Sequence, residues 1–164
     1  MKTLEEQVLS YASYHKHFMN KLTHFVGVPM IVFSIFIPMG WFRLYQAPEV
    51  PFTGATVFFL VTMTYYLRLN WKIALSVIPT SGVLLLAADA VSKMPFSQSL
   101  LWFAVTFIVG WIIQLTGHVF EGKKPALADN LMQIFNAPLF LTIELAFLFG
   151  FLKELNEYIE QNLA

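Results

Sequence analysis

The chain has 164 residues, net charge zero from ten Lys and Arg against ten Asp and Glu, and no cysteine. Hydrophobic residues make up 57% and charged residues 12%, with mean hydropathy +0.64, against about 45–50% and about 25% in a soluble domain. So little charge excludes a water-covered surface, the missing basic stripe excludes nucleic acid as a partner, and the missing cysteines exclude disulfides, thiolate metal sites and thiol nucleophiles. Lipid is therefore the solvent for much of the chain. The length suits one membrane-embedded domain spanning residues 1–164.

Residues 1–22 are polar and lack the early apolar core of a cleavable signal peptide, so the first apolar segment is expected to stay as an anchor. Residues 3–22 predict an amphipathic helix, capped by Thr3, with Glu5 and Glu6 in its first turn to suit the helix dipole. Leu4, Val8, Tyr11, Phe18 and Leu22 form a discontinuous apolar stripe. Lys16, His17, Asn20 and Lys21 occupy the other face. Such a helix lies in the interface or packs on the bundle, and its polar inventory favours packing.

Five apolar segments follow, at 25–42, 50–67, 73–88, 94–117 and 131–152. A spanning helix needs about 20 apolar residues, roughly 17–25. The fourth segment clears this length, and the first and second are near its limit. The third is short and contains Pro79, which leaves it tilted, kinked or re-entrant. The expected architecture is all-α: a polytopic membrane helical bundle with four to five transmembrane helices plus the N-terminal amphipathic helix. Residues 1–24 carry that helix and three histidines, 25–152 the bundle, and 153–164 a polar tail.

If all five segments cross, Lys2, Lys16, Lys21, Arg68, Lys72, Lys123 and Lys124 share one side, and Arg43, Lys93 and Lys153 the other. The cation-rich side is expected to be cytoplasmic, with the N-terminus inside and the C-terminus outside.

The chemistry-bearing residues are few. The four histidines are His15, His17, His24 and His118, and five crossings bring them to one membrane face. His118 and Glu121 are three apart and share a helix face. Imidazole with carboxylate suits non-haem iron or a similar divalent metal, and interfacial polar residues at a helix end give the same pattern. Glu144 lies inside an apolar run, where an ionised carboxylate costs roughly 2.5–3.5 kcal/mol by insertion scales. That makes it a candidate proton or substrate site, or else a structural group paired with Arg68 or Lys72. His15 and His24 are nine residues apart, so a continuous helix puts them on opposite sides and roughly 13.5 Å apart in rise. They share a metal only if the chain breaks between them. Asp89 reads as an interfacial charge, and Asp129 and Asn130 as caps of the last helix. The 17 Phe residues pack, face lipid or wall an acyl-chain cleft.

Taken together, several blocks carry a resemblance. Tyr14-His15, Asn20, His24 and Gly27-Val28-Pro29 form the first. Gln114-x2-Gly117-His118-x2-Glu121-x3-Pro125-Ala126-Leu127-x-Asp129-Asn130-Leu131 forms the second, and Ala137-Pro138-Leu139-Phe140-x3-Glu144 the third. The chain resembles the family of the fungal 2-hydroxy fatty acid dioxygenase of the endoplasmic reticulum, which has bacterial relatives. The resemblance covers both ends, while 42–101 match only in hydrophobicity. It implies an oxidoreductase with an Fe(2+) cofactor, converting a 2-hydroxy fatty acid and dioxygen to the fatty acid one carbon shorter. It implies His15, His24 and His118 as metal ligands, with His17, Asn20 and Glu121 ranked below them. Glu121 or Glu144 would complete or orient the ligand shell as catalytic carboxylates. Lys123 or Lys124 would draw in the substrate carboxylate. It also implies a bacterial inner membrane or endoplasmic reticulum membrane, with the N-terminus and metal site on the cytoplasmic side. It demands a break in the N-terminal helix. Two other readings stand beside it: a non-enzymatic membrane module or small transporter using Glu144, and another metal-dependent lipid enzyme.

Overall fold

The computed structural model describes residues 3–46, 51–125 and 133–163. The caps expected of Asp129 and Asn130 lie outside these residues. The element order is α1 (Leu4–Ala12), α2 (Phe18–Trp41), β1 (Arg43–Gln46), β2 (Pro51–Thr53), α3 (Gly54–Leu69), α4 (Trp71–Ser92), α5 (Phe96–Glu121), α6 (Gln133–Leu148) and α7 (Lys153–Asn162).

Helix α1 begins as the sequence predicts. Thr3 accepts from the Glu6 amide at 3.3 Å, and the Glu6 carboxylate accepts from the Thr3 amide at 3.0 Å. This reciprocal box satisfies two amides that have no partner inside the helix. Its apolar stripe buries Leu4, Val8 and Tyr11 in the bundle core, so the helix packs rather than floats. The single helix expected over 3–22 is corrected: α1 stops at Ala12 and α2 starts at Phe18. The His17 ring, at the cap position of α2, accepts from the Met19 amide at 3.1 Å, and a capped start cannot also be a helix interior.

Helices α2, α4 and α5, with 24, 22 and 26 residues, are each long and apolar enough to cross a membrane. At 1.5 Å per residue they run about 33–39 Å, against a hydrocarbon core of about 30 Å. The third apolar segment is therefore not short once folded. Asn70 caps α4 by accepting from the Lys72 and Ile73 amides, and the helix continues through Pro79 to Ser92. The second segment is the shorter one. Its first residues pair with Arg43–Gln46 in a two-stranded antiparallel hairpin, which leaves 16 residues for α3.

The interface between α2 and α5 is the most extensive in the bundle. Small residues let the two backbones approach. A Cβ on Gly27 would lie 3.0 Å from the Gly110 carbonyl, and one on Gly117 would collide with the Thr23 hydroxyl.

The fifth apolar segment does not form one straight span. Helix α6 ends at Leu148, and α7 leaves at 108° to it. The turn uses positive φ at Gly150 (75°) and Leu152 (55°), a conformation that glycine adopts without steric cost. Helix α7 then packs on α1, burying Ile159, and the Lys16 ammonium donates to the Leu163 carbonyl. The two ends of the described chain therefore meet, which corrects the expectation that they lie on opposite sides.

Candidate metal centre

The break between α1 and α2 is held from a distance. The Glu121 carboxylate, at the end of α5, accepts from the Lys16 amide (3.1 Å), the His17 amide (2.7 Å) and Asn20 Nδ2 (3.1 Å). Asn20 Nδ2 also donates to the Tyr14 carbonyl at 3.0 Å. The loop amides that no helix satisfies thus find a carboxylate 105 and 104 residues further along the chain, and the chain reverses enough for His15 to meet His24.

His15, His24 and His118 are 2%, 1% and 5% exposed. Each offers one ring nitrogen, and these atoms lie within 4.8 Å of one another. The ring centroids of His118 stand 5.0 Å from those of both His15 and His24. Each N-terminal histidine is held by the carbonyl four residues before it: His15 Nδ1 bonds the Tyr11 carbonyl at 2.7 Å, and His24 Nδ1 the Asn20 carbonyl at 2.8 Å. A carbonyl only accepts, so both Nδ1 atoms must donate. In the neutral rings both Nε2 atoms then carry lone pairs, and these two atoms face each other at 3.1 Å.

Two facing lone pairs repel unless a proton or a cation lies between them. Protonation is opposed at His15, whose imidazole is pushed down to about 3, first by burial and then by His24. A metal cation offsets its own desolvation by coordinating both lone pairs at once. Two nitrogens bound to one ion at about 2.0–2.1 Å stand about 3.0–3.4 Å apart, which spans the observed separation. His118 Nδ1 is buried with no hydrogen-bond partner among the described residues, which leaves it free to ligate a metal. The donor set is all imidazole, which suits zinc, copper, iron or nickel. The three residues could hold a metal ion.

The rings also have a back wall. Tyr11 stacks on His15 with centroids 4.0 Å apart and planes 6° from parallel, and Phe140 packs behind Tyr11 at 4.6 Å. A cavity of about 320 Å³ opens beside them, lined by Tyr11, His15 and His118 at one end and reaching Met39 and Phe58. The walls between are mostly apolar, with Gln114, Thr62 and Ser81 among the polar exceptions.

Other residues singled out in the sequence stand apart from this triad. His17 is exposed, caps α2 and stacks on Phe120. Glu121 and Asn20 hold the loop. Glu144 pairs with Lys21 at 2.8 Å rather than with Arg68 or Lys72, which corrects the partner considered for it. Lys123 donates to the Ser13 carbonyl at 2.9 Å, Lys124 is exposed, and neither lines the cavity. Asp89, expected as an interfacial charge, is buried and pairs with Lys93 at 2.6 Å and Arg43 at 3.6 Å. Tyr11 was legible only as part of an apolar stripe. The signal for its larger role is the repeated spacing of four, Tyr11 to His15 and Asn20 to His24.

No solved structure matches the chain. The 2-hydroxy-palmitic acid dioxygenase MPO1 of Saccharomyces cerevisiae is 33% identical over 167 residues, covering 98% of this chain and 89% of the yeast protein. The family model described as 2-hydroxy-palmitic acid dioxygenase Mpo1-like matches residues 1–148, a stretch that contains all three buried histidines and every helix lining the cavity. On this match over nine-tenths of its length, the chain belongs to the 2-hydroxy-palmitic acid dioxygenase Mpo1-like family.

Proposed function

We propose that the chain is an Fe(2+)-dependent membrane dioxygenase that converts 2-hydroxy fatty acids to fatty acids one carbon shorter. The reading is supported by one observation above the others: the lone pairs of His15 and His24 face each other at 3.1 Å, beside the orphaned His118 nitrogen, at the mouth of an apolar cavity. Its substrate class follows the name of the yeast relative.

His15, His24 and His118 would hold the iron. When bound, the iron supplies a site where dioxygen and the 2-hydroxy carboxylate meet. The protein's own part is to bind, orient and exclude water. The Tyr11 and Asn20 carbonyls fix both N-terminal imidazoles in one tautomer and one rotation, which raises their basicity as ligands. Tyr11 and Phe140 shield His15 from water. The cavity accepts an acyl chain, and burial of each methylene contributes about 0.8 kcal/mol, so the chain fixes the head group at the triad.

We place the triad at the cytoplasmic side. With α7 seated on α1, Lys153 joins Lys16, Lys21, Arg68, Lys72, Lys123 and Lys124 at the histidine end, leaving Arg43 and Lys93 at the other. That asymmetry follows the positive-inside rule. The whole of residues 1–164 is read as one membrane-embedded domain.

The test is anaerobic loading of the purified chain with Fe(2+), then addition of dioxygen and 2-hydroxypalmitate, with mass spectrometry of the acid formed. The C15 acid is expected. Recovery of unchanged 2-hydroxypalmitate from an iron-loaded, folded chain refutes the reading.

A further inference from the structure

One polar side chain of the cavity wall, Gln114, belongs to the same helix as His118. It stands one turn before His118 on α5, on the same helix face and about 6 Å along the axis. It lines the cavity together with His15 and His118. Its Oε1 is buried and has no hydrogen-bond partner among the described residues. The neighbouring wall is apolar, with Val28, Ile31 and Trp111 around it.

The backbone of α5 is fixed at this residue. Gly27 of α2 is packed so closely that a Cβ on it would lie 3.2 Å from the Gln114 Cβ and 3.3 Å from the Gln114 amide nitrogen. The base of the side chain is therefore immobile while its end is unsatisfied. A buried carbonyl oxygen without a donor is costly to keep, and a leucine would fill the same volume without that cost. The amide oxygen needs a donor that arrives with a ligand.

We propose that Gln114 Oε1 accepts the hydrogen bond of the substrate's 2-hydroxyl group and so selects 2-hydroxy acids over plain fatty acids. This rests on the substrate class proposed above. The chemistry separates the candidates. An ionised carboxylate has no proton to donate, and an acyl chain has none. The 2-hydroxyl alone has one, on the carbon next to the carboxylate, where a head group at the triad and a tail in the cavity bring it past the residue one turn deeper. A site built to bond a hydroxyl discriminates strongly against the analogue lacking it, because its own polar group is then left unpaired.

The test is equilibrium binding to the iron-loaded full chain without oxygen, read by tryptophan fluorescence since Trp111 lines the cavity. 2-Hydroxypalmitate and palmitate are titrated into wild type, Gln114→Leu and Gln114→Met, with iron content measured for each. Both variants are expected to keep their iron, to lose affinity for 2-hydroxypalmitate about tenfold, and to bind palmitate as wild type does or better. Unchanged selectivity in an iron-replete variant overturns the proposal. So does an equal loss for both acids, which would put the amide on the carboxylate. A wild-type chain with no preference for the hydroxy acid is a different failure, that of the substrate class itself. Methionine, unbranched and adaptable, serves where leucine fails to pack.

Discussion

His15 and His24 face each other Nε2 to Nε2 at 3.1 Å, with both Nδ1 atoms engaged by backbone carbonyls. Two facing lone pairs at that distance repel, and a cation held between them would relieve the repulsion. Metal binding and folding should therefore be linked: a ligand at 1,000 times its Kd stabilises by about 4.1 kcal/mol. Removing the metal with a chelator is expected to lower the melting temperature by about 10 °C, and restoring it to reverse the loss. His118→Ala, which removes the third nitrogen, should lose bound metal and activity while its helical circular dichroism persists. A metal-replete, active His118→Ala chain contradicts the triad.

Glu121 is expected to matter without binding the metal. Its carboxylate holds the two loop amides and Asn20 Nδ2, and Asn20 in turn presents the carbonyl that orients His24. In Glu121→Gln one carboxylate oxygen becomes an NH2 group facing N–H donors, costing about 1–3 kcal/mol. Metal affinity should fall about 10–100-fold, as for supporting groups around other metal sites. Metal titration of the folded variant measures this. An unaffected Kd would show that the loop keeps its shape without the clamp.

The buried His15 ring predicts a pH dependence for the metal-free chain. Unfolded, the imidazole takes up a proton below its ordinary value of 6.5; folded, it does so only below about 3. Between those values the unfolded state holds the extra proton, so this contribution to stability is complete above 6.5 and is lost as pH falls toward 3. Thermal unfolding of metal-free wild type and His15→Gln from about pH 7 to about pH 4.5 should show wild type losing stability faster. Parallel curves would mean that the ring is hydrated in solution.

Much of this was legible before folding, for identifiable reasons. Apolar length announced α5 and, near its limit, α2, while α4 read as too short because its polar cap and flanking residues lie outside the apolar run; the Thr3 cap announced the start of α1. The motif blocks pointed to His15, His24 and His118. Spacing alone argued against joining His15 to His24, because a straight helix separates them. The missing piece was the break at residues 13–17, and it is created by Glu121, over 100 positions away. Local propensity carries no trace of such a partner. The bend after Leu148 was hidden for a related reason: an apolar run has the same composition whether it crosses or turns, and the turn depends on φ at Gly150 and Leu152. Pairing of Glu144 with Lys21 required the fold as well, since the two lie on different segments.

The cavity makes a last prediction about chain length. It runs along α2, past Val28, Ile31 and Ile35 to Met39, and the 11 steps from Val28 to Met39 rise about 16 Å along the helix. With the head group at the histidine end, as proposed, a side chain enlarged at the far end should shorten the acceptable tail without touching the metal. Ile35→Trp adds bulk to a wall of this cavity, and overfilling a packed space typically costs about 1–3 kcal/mol. Discrimination against the long tail should be about 10–100-fold on that basis. The variant is expected to raise KM for 2-hydroxypalmitate, to leave 2-hydroxyoctanoate turnover unchanged, and to retain its metal. Equal effects on both acids would place the acyl chain elsewhere, against the lipid-facing sides of the helices.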